Sequence, residues 1–159
     1  MPTSTDTRTR ILDAAVASAA IHGISRLSVG DVAKAAGISR QTLYKQFGSK
    51  DELISAVVTR EATTVVAAVT KAVDAHDDPG DALEAGVLAA LILAREHPVL
   101  DRVVRTEPEA LVPFLTSDGG PVMLAARAAV GHVVATKLPG LDDVAARRLA
   151  DMLTRLLVS

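Results

Sequence analysis

Polar and basic side chains that can hydrogen-bond to nucleic acids are concentrated between residues 28 and 50. Arginine and glutamine can bond the edges of guanine and adenine, and lysine can bond a phosphate oxygen. Hydroxyl groups of serine, threonine and tyrosine can also reach phosphates. The candidates that we select from this stretch are Ser28, Arg40, Gln41, Thr42, Tyr44, Lys45 and Lys50. Together they are suited to binding a nucleic acid, provided that the local fold presents them on one surface.

Three serines in this stretch predict three helix starts. Ser28, Ser39 and Ser49 each precede a segment with helical patterning, and a serine hydroxyl can accept a backbone N–H of the first helical turn. Asp31 and Glu52 stand three residues after the first and the last of these serines, as in a capping box. We therefore expect helices to begin just after each of the three serines.

A glycine separates the first two of these helices. Gly37 can adopt the left-handed backbone conformation that ends a helix, and a turn this short fixes the angle between the helices that it joins. In the second helix, residues 40–47, Leu43 and Phe47 are four apart and should point inward while the polar side chains face solvent. The pattern predicts a helix-turn-helix whose second helix exposes a polar face.

The sequence TLYKQFGSKDEL, residues 42–53, resembles the DNA-binding domain of the tetracycline-repressor (TetR) family of bacterial regulators. The resemblance covers roughly residues 8–60. It implies an all-α protein in which a three-helix DNA-binding domain with a helix-turn-helix, residues 1–48, precedes a helical bundle for effector binding and dimerisation, residues 49–159. It also implies a homodimer that places two recognition helices in successive major grooves of a palindromic operator in double-stranded DNA. Repression is then the expected default, with release by a small-molecule effector.

The recognition helix supplies five of the expected DNA contacts. We assign Arg40 and Gln41, which open the helix, to the edges of guanine and adenine. Thr42 could contact a thymine methyl group or a phosphate. We assign Tyr44 and Lys45 mainly to the phosphate backbone, and for Tyr44 the family resemblance supports the contact.

Two further contacts are expected outside the recognition helix. Lys50, with the N–H groups that begin the following helix, should bind a phosphate through charge and helix dipole. Ser28 is a further phosphate candidate, although its hydroxyl could serve only as a helix cap. Arg8 and Arg10 lie where a flexible arm could meet the phosphate backbone, or they could be two solvated arginines.

Charge and composition agree with a DNA-binding end. The net charge of −2 divides into +3 for residues 1–60 and −5 for the remainder, so the basic end can face DNA while the acidic end faces water. The chain has no cysteine, which makes a reducing bacterial cytoplasm the natural setting. The longest apolar run, residues 85–94, is too short to cross a bilayer, so no membrane partner is expected.

The rest of the chain predicts further helices separated by Gly and Pro. The expected helices of the whole chain outside the helix-turn-helix cover about residues 6–21, 49–75, 81–96 with Asp81 as cap, 99–105, one or two turns within 107–115, 121–137 and 142–158. Glu107 and Glu109 should be solvated acids. The last apolar face continues to Ser159 without a capping glycine or polar tail, which leaves open whether this is a compact or a truncated family member that lacks its last helix.

Aliphatic residues of the second half should line the interior of a helical bundle. They include Leu83, Val87, Leu88, Leu91 and Ile92. A loosely filled bundle can leave an apolar pocket with a few polar groups that orient a ligand. The candidate effector residues are Leu88, Leu91, Ile92, His97, Phe114, Met123, Arg127 and His132. Taken singly, each residue is better explained without a ligand: the aliphatic residues as a plain core, His97 as a helix end, and Arg127 and His132 as surface or interface side chains. The aliphatic lining hints at an apolar effector.

Two other classes of function compete with this one. An enzyme is not expected, because the sequence has no cysteine nucleophile, phosphate-binding glycine loop or zinc-protease motif; we therefore predict no catalytic residue, cofactor or metal site. A helical interaction module could keep the helix-turn-helix as a scaffold without reading DNA. The basic residues Arg40, Lys45 and Lys50 argue against that alternative.

Overall fold

The computed structural model describes residues 4–112 and 120–158, and this part of the chain is helical without a strand. Within these residues the structure has eight α-helices and one short 3-10 helix whose bounds can be given. They are α1 (Ser4–His22), α2 (Val29–Ala35), α3 (Arg40–Phe47), α4 (Lys50–Asp74), α5 (Pro79–Glu96), α6 (Pro98–Thr106), the 3-10 helix (Pro108–Leu111), α7 (Pro121–Lys137) and α8 (Asp143–Val158). The all-α prediction is confirmed. The predicted bounds of α3 agree with the structure, and those of the other α-helices lie within two residues of it.

The start of α5 differs from the prediction. Asp78, not Asp81, caps this helix, because the Asp78 Oδ1 atom accepts the N–H groups of Gly80 at 2.8 Å and of Asp81 at 3.1 Å. Pro79 is then the first helical residue, where its missing N–H costs nothing. Asp81 lies within the first turn and favours the helix only through the dipole.

The chain divides into two compact units. Unit 1 contains residues 1–58 and 97–111, and unit 2 contains residues 59–96 and 112–159. These units are defined by contacts, whereas the predicted domains, residues 1–48 and 49–159, are defined by role and stay a prediction. Residues 97–111, at the middle of the sequence, fold with the N-terminal unit.

The core of unit 1 is built from short aliphatic side chains on every helix of the unit. In α1, Ile11, Ala15 and Ala19 are fully buried at a spacing of four residues. The other buried side chains include Leu27, Val32, Leu43, Phe47, Leu53, Val57, Val99 and Val103. Helix α1 contacts both α2 and α6, so α6 forms part of the support of the helix-turn-helix.

In unit 2, α7 packs against α8, and the buried residues include Val73, Ala82, Met123, Val134 and Thr154. The prediction that Leu83, Val87, Leu88, Leu91 and Ile92 line the interior is wrong, since all five are 45% to 61% exposed. Helix α5 is apolar on several faces, and its buried face is the one that carries Ala82 and Gly86. By length and composition, α4 is the one described helix that could span a bilayer, a test that core helices of soluble proteins also pass.

Candidate nucleic-acid interface

The turn between α2 and α3 is fixed by backbone hydrogen bonds. The N–H of Ile38 donates to the carbonyl of Ala33 at 3.0 Å, and the N–H of Gly37 donates to the carbonyl of Lys34 at 3.1 Å. This pair of bonds is the Schellman motif, which requires a left-handed residue after the helix. Gly37 has φ of +64° and meets that requirement. The predicted helix-turn-helix is therefore present, with the glycine in its expected role.

Helix α3 is held at both ends and along one face. The Ser39 Oγ atom caps the helix by accepting the N–H of Thr42 at 3.0 Å. The helix ends at Gly48, where φ is +70° and the N–H donates to the carbonyl of Tyr44. Leu43 is 0% exposed and Phe47 is 3% exposed. Burying these two side chains fixes the rotation of the helix and leaves its opposite face in solvent.

The predicted recognition residues lie on that solvent face. Arg40, Gln41, Tyr44 and Lys45 are exposed, and Tyr44 is 46% exposed although it is a large aromatic residue. Thr42 is half-buried, and its hydroxyl lies 2.9 Å from the hydroxyl of Ser39, which ties it to the helix cap.

Arg40 lies against a neighbouring helix. A Cβ atom added to Gly30 in α2 would collide with the Arg40 guanidinium, so this glycine makes room for the arginine.

The predicted phosphate residues lie at the ends of neighbouring helices. Ser28 caps α2, and its Oγ accepts the N–H of Asp31 at 3.4 Å. Ser49 caps α4, and its Oγ accepts the N–H of Glu52 at 3.1 Å. Lys50 is the first residue of α4, and its Nζ donates to the carbonyl of Ser25 at 3.3 Å. A lysine ammonium has three donors, so this bond still leaves donors for a phosphate.

Two arginines of α1 bind backbone groups of the helix-turn-helix. Arg10 Nη2 donates to the carbonyl of Ala36, the residue that caps the C-terminus of α2. Arg8 Nη1 donates to the carbonyl of Gln46 at 3.0 Å, and the guanidinium lies 4.2 Å from the ring centroid of Phe47. The expectation of a flexible arm is wrong, because both arginines lie within α1, which begins at Ser4. Sequence spacing alone could not find these contacts, which join residues 26 and 38 positions apart.

An acid from the middle of the chain also binds this unit. The Glu107 Oε2 atom accepts the N–H of Ser25 at 2.9 Å, across 82 residues. Glu107 stays in contact with solvent, as predicted, but it is not a free acid because it makes this hydrogen bond. Hydrogen bonds from the hydroxyl and the N–H of Ser25 hold the pKa of the Glu107 carboxyl below its ordinary value, and the charges of Arg102 and Arg26 lower it further.

The candidate effector residues are spread over the chain. Leu88, Leu91 and Ile92 are exposed on α5, whereas Met123 is buried in α7. His97 is the N-cap residue of α6 and belongs to unit 1. Phe114 lies outside the described residues.

The two polar effector candidates of unit 2 each lie beside a carboxylate. His132 Nε2 lies 2.8 Å from the Asp74 Oδ1 atom, and Arg127 Nε lies 3.7 Å from the Asp151 Oδ1 atom. A shallow concavity of about 770 Å³ lies along α8, and none of the candidate effector residues lines it. The effector pocket therefore stays a prediction.

Both halves of the chain match family models. Residues 11–57 match the family described as bacterial regulatory proteins of the tetR family. Residues 78–159 match the bacterial tetracyclin repressor C-terminal domain. The first match covers the helix-turn-helix and the start of α4, and the second covers the described helices from α5 onwards.

Similar proteins agree with these matches. An HTH-type transcriptional regulator of Mycobacterium bovis is 30% identical over 92% of this chain and 76% of its own length. The regulator AlkX of Mycobacterium tuberculosis is 30% identical over 85% of this chain and 65% of its own length. In structure, the chain is similar to the TetR family repressor AlkX from a Dietzia species, which is implicated in biodegradation of n-alkanes, with a TM-score of 0.75 and 25% identity over 95% of this chain and 80% of that one. The helix-turn-helix, the family matches and these relatives lead to one conclusion: the chain belongs to the TetR family of bacterial DNA-binding transcriptional regulators.

Proposed function

We propose that this regulator binds a palindromic operator as a homodimer, represses transcription there, and is released by a small apolar effector. The DNA contacts in the proposal come from Ser28, Arg40, Gln41, Thr42, Tyr44, Lys45 and Lys50. A dimer would place two copies of α3 in successive major grooves, about one helical turn apart. Such a protein works in the cytoplasm, where it reaches bacterial DNA.

The observation that carries the proposal is the division of α3 into two faces. Leu43 and Phe47 are buried, while Arg40, Gln41, Tyr44 and Lys45 are exposed on a helix capped at both ends. Exposing a large aromatic side chain to water brings no stability to the fold. A tyrosine beside basic residues on a rigid helix is well suited to contact a phosphate backbone. This face therefore supports DNA contact rather than packing.

Lys50 supports a phosphate contact at the start of α4. The N–H groups of the first helical turn point out of the helix, and the dipole favours an anion there. Asp51 and Glu52 occupy the same turn and oppose an anion, so the ammonium of Lys50 must supply the net attraction. Removing this charge should weaken binding to every DNA sequence alike.

Control by an apolar effector is suggested by a structural relative. The structure of the Dietzia relative is that of a repressor implicated in n-alkane biodegradation, and the chain shares 25% identity with it. An effector can release the operator only if it binds the DNA-incompetent arrangement of the dimer more tightly than the competent one.

The proposal is tested by fluorescence anisotropy with a duplex taken from immediately upstream of the gene, beside a scrambled duplex, at two salt concentrations. We expect the upstream duplex to bind about a thousandfold more tightly than the scrambled one. Equal and strongly salt-dependent binding to the upstream and scrambled duplexes would reject a specific operator in the upstream DNA. Failure to bind either duplex at low salt would refute DNA binding and favour the interaction module.

A further inference from the structure

The backbone of Ser25 is held from both sides by charged side chains. Its N–H donates to Glu107, and its carbonyl accepts from Lys50. Ser25 lies in the connection between α1 and α2, three residues before the cap of α2. One short loop therefore links the end of α6 to the lysine that begins α4.

Glu107 fits closely into this loop. Gly23, which ends α1, has φ of +89°, and a Cβ atom added there would collide with the Glu107 carboxylate. The carboxylate therefore occupies the space that a side chain at position 23 would take. Glu107 caps α6, and α6 contacts α1 within the same compact unit. The carboxylate is thus carried on a packed element and not on a free loop.

The carboxylate of Glu107 carries a negative charge, which is unfavourable in a unit that binds DNA. A carboxylate near a polyanion weakens binding, so a solvated acid could be removed with no loss, or with a gain, in DNA affinity. Glu107 instead supplies a hydrogen-bond acceptor to a backbone N–H that no helix satisfies. The acceptor oxygen of Glu107 should therefore favour DNA binding while its negative charge opposes it. Variants that remove the charge but keep the oxygen can distinguish the two effects.

We propose that Glu107 is a positioning residue for DNA binding: by holding the N–H of Ser25, it fixes the carbonyl that orients the ammonium of Lys50 at the start of α4. The inference rests on the proposed phosphate contact of Lys50. Without Glu107, the loop and the lysine sample more conformations, and the lysine must be ordered when DNA binds. Ordering one long side chain lowers affinity by about three- to tenfold.

The experiment uses the full chain and a non-specific duplex, because a phosphate contact is independent of sequence. The variants are Glu107→Ala, Glu107→Gln, Lys50→Ala and the double variant Lys50→Ala/Glu107→Ala. The matched control is Glu109→Ala, which removes an exposed acid from the adjacent 3-10 helix. Affinity is measured over a range of salt concentrations, and circular-dichroism melting shows that each variant is folded at the measuring temperature.

We expect Glu107→Ala to lower DNA affinity about three- to tenfold with the salt slope retained, because the ordered lysine still binds its phosphate, whereas Lys50→Ala should reduce the slope by about one. Glu107→Gln keeps an acceptor oxygen and loses the charge, so its affinity should equal or exceed that of the wild type. Glu109→Ala should behave in the same way. In the double variant, the loss should not exceed that of Lys50→Ala alone, because the two residues act through one contact.

The following results would overturn the inference while leaving DNA binding intact. They are an affinity of Glu107→Ala at or above wild type, additive losses in the double variant, or no effect of Lys50→Ala on affinity and salt slope. A wild-type chain that binds no duplex at low salt would overturn this inference and the proposed function together. A loss in Glu107→Gln equal to that in Glu107→Ala would also reject the positioning role, because glutamine still offers an acceptor oxygen to the N–H of Ser25.

Discussion

Replacing Arg10 with methionine should destabilise unit 1 by about 2 kcal/mol, because the guanidinium donates to the Ala36 carbonyl at the C-terminus of α2 in a partly buried position. Hydrogen bonds that involve a charged group contribute about 1.5 to 3 kcal/mol. A cation at a helix C-terminus adds about 0.3 to 1 kcal/mol. Water that reaches the carbonyl in the variant offsets part of this sum. Methionine keeps most of the aliphatic stem, so the change tests the hydrogen bond and the charge.

Thermal and urea unfolding of Arg10→Met measure this loss. For a chain of this length, a loss of about 2 kcal/mol should lower the melting temperature by about 4 to 8 °C. Arg147→Met is the matched control, because Arg147 is an exposed helical arginine in α8. Exposed substitutions of this kind should change stability by less than about 0.5 kcal/mol. The control should therefore melt close to the wild type.

A phosphate contact by Arg10 is the competing explanation, and DNA binding distinguishes it. If the arginine serves only the fold, the salt slope of binding to a random duplex should not change in Arg10→Met. If it binds a phosphate, the slope should fall by about one. Stability within 0.5 kcal/mol of wild type, with a reduced salt slope, would refute the structural role derived from the Ala36 contact.

Three further predictions concern recognition, packing and pH. Gln41→Ala should reduce the preference for operator over random duplex by about 1 to 3 kcal/mol, measured by competition. Tyr44→Ala should instead weaken binding to both duplexes equally. Equal losses of affinity for the two duplexes in Gln41→Ala would reject base readout. Leu43→Ala should cost about 3 to 5 kcal/mol in urea unfolding, because the side chain is 0% exposed; a loss below 1 kcal/mol would contradict its place in the core. Since its pKa is lowered in the folded state, Glu107 should stabilise the fold above the ordinary glutamate pKa and lose this effect as the pH falls through the lowered value. The wild type should therefore be more stable than Glu107→Gln near neutral pH, and a difference in unfolding free energy that does not shrink on acidification would contradict this.

The sequence predicted the helix-turn-helix well because its signals are local. Ser28, Ser39 and Ser49 each cap the helix expected of them, and the bonds close within three residues. Gly37 adopts the left-handed conformation that its position between two caps required. A cap depends on one side chain and the next helical turn, so neighbouring residues contain the necessary information.

The supporting contacts could not be predicted in the same way. Arg10, Arg8 and Glu107 reach backbone groups 26, 38 and 82 residues away, and a backbone carbonyl or N–H has no sequence signature. The Ser25 contact of Glu107 was missed for this reason, because its neighbours Pro108 and Glu109 look like those of a solvated loop. Only the packing of α6 against α1 brings the carboxylate to its partner.

The buried face of α5 could not be predicted from hydrophobic periodicity. Periodicity predicts a buried face when apolar residues occupy one side of a helix. In α5, apolar residues occur on several sides, and the structure buries Ala82 and Gly86 while it exposes Leu83, Val87 and Leu91. Small residues allow close approach between helices, and hydrophobicity scales rank them below leucine. Size, rather than hydrophobicity, thus decides which face of α5 is buried.

Four charged side chains of unit 1 bind backbone groups, although Arg105 and Asp101 of the same unit form an ion pair at 2.6 Å. Arg8, Arg10 and Lys50 donate to backbone carbonyls, and Glu107 accepts from a backbone N–H. A cation that pairs with a carboxylate loses its net charge to the surroundings, whereas a cation bound to a neutral carbonyl keeps it. These bonds therefore hold the helix ends and loops that a core of short aliphatic residues leaves loose, and they preserve the positive field that DNA binding requires. Salt screens the long-range attraction between these cations and DNA phosphates more than it screens a short contact with a carbonyl. Added salt should therefore lower the affinity for DNA more than it lowers the stability of the unit.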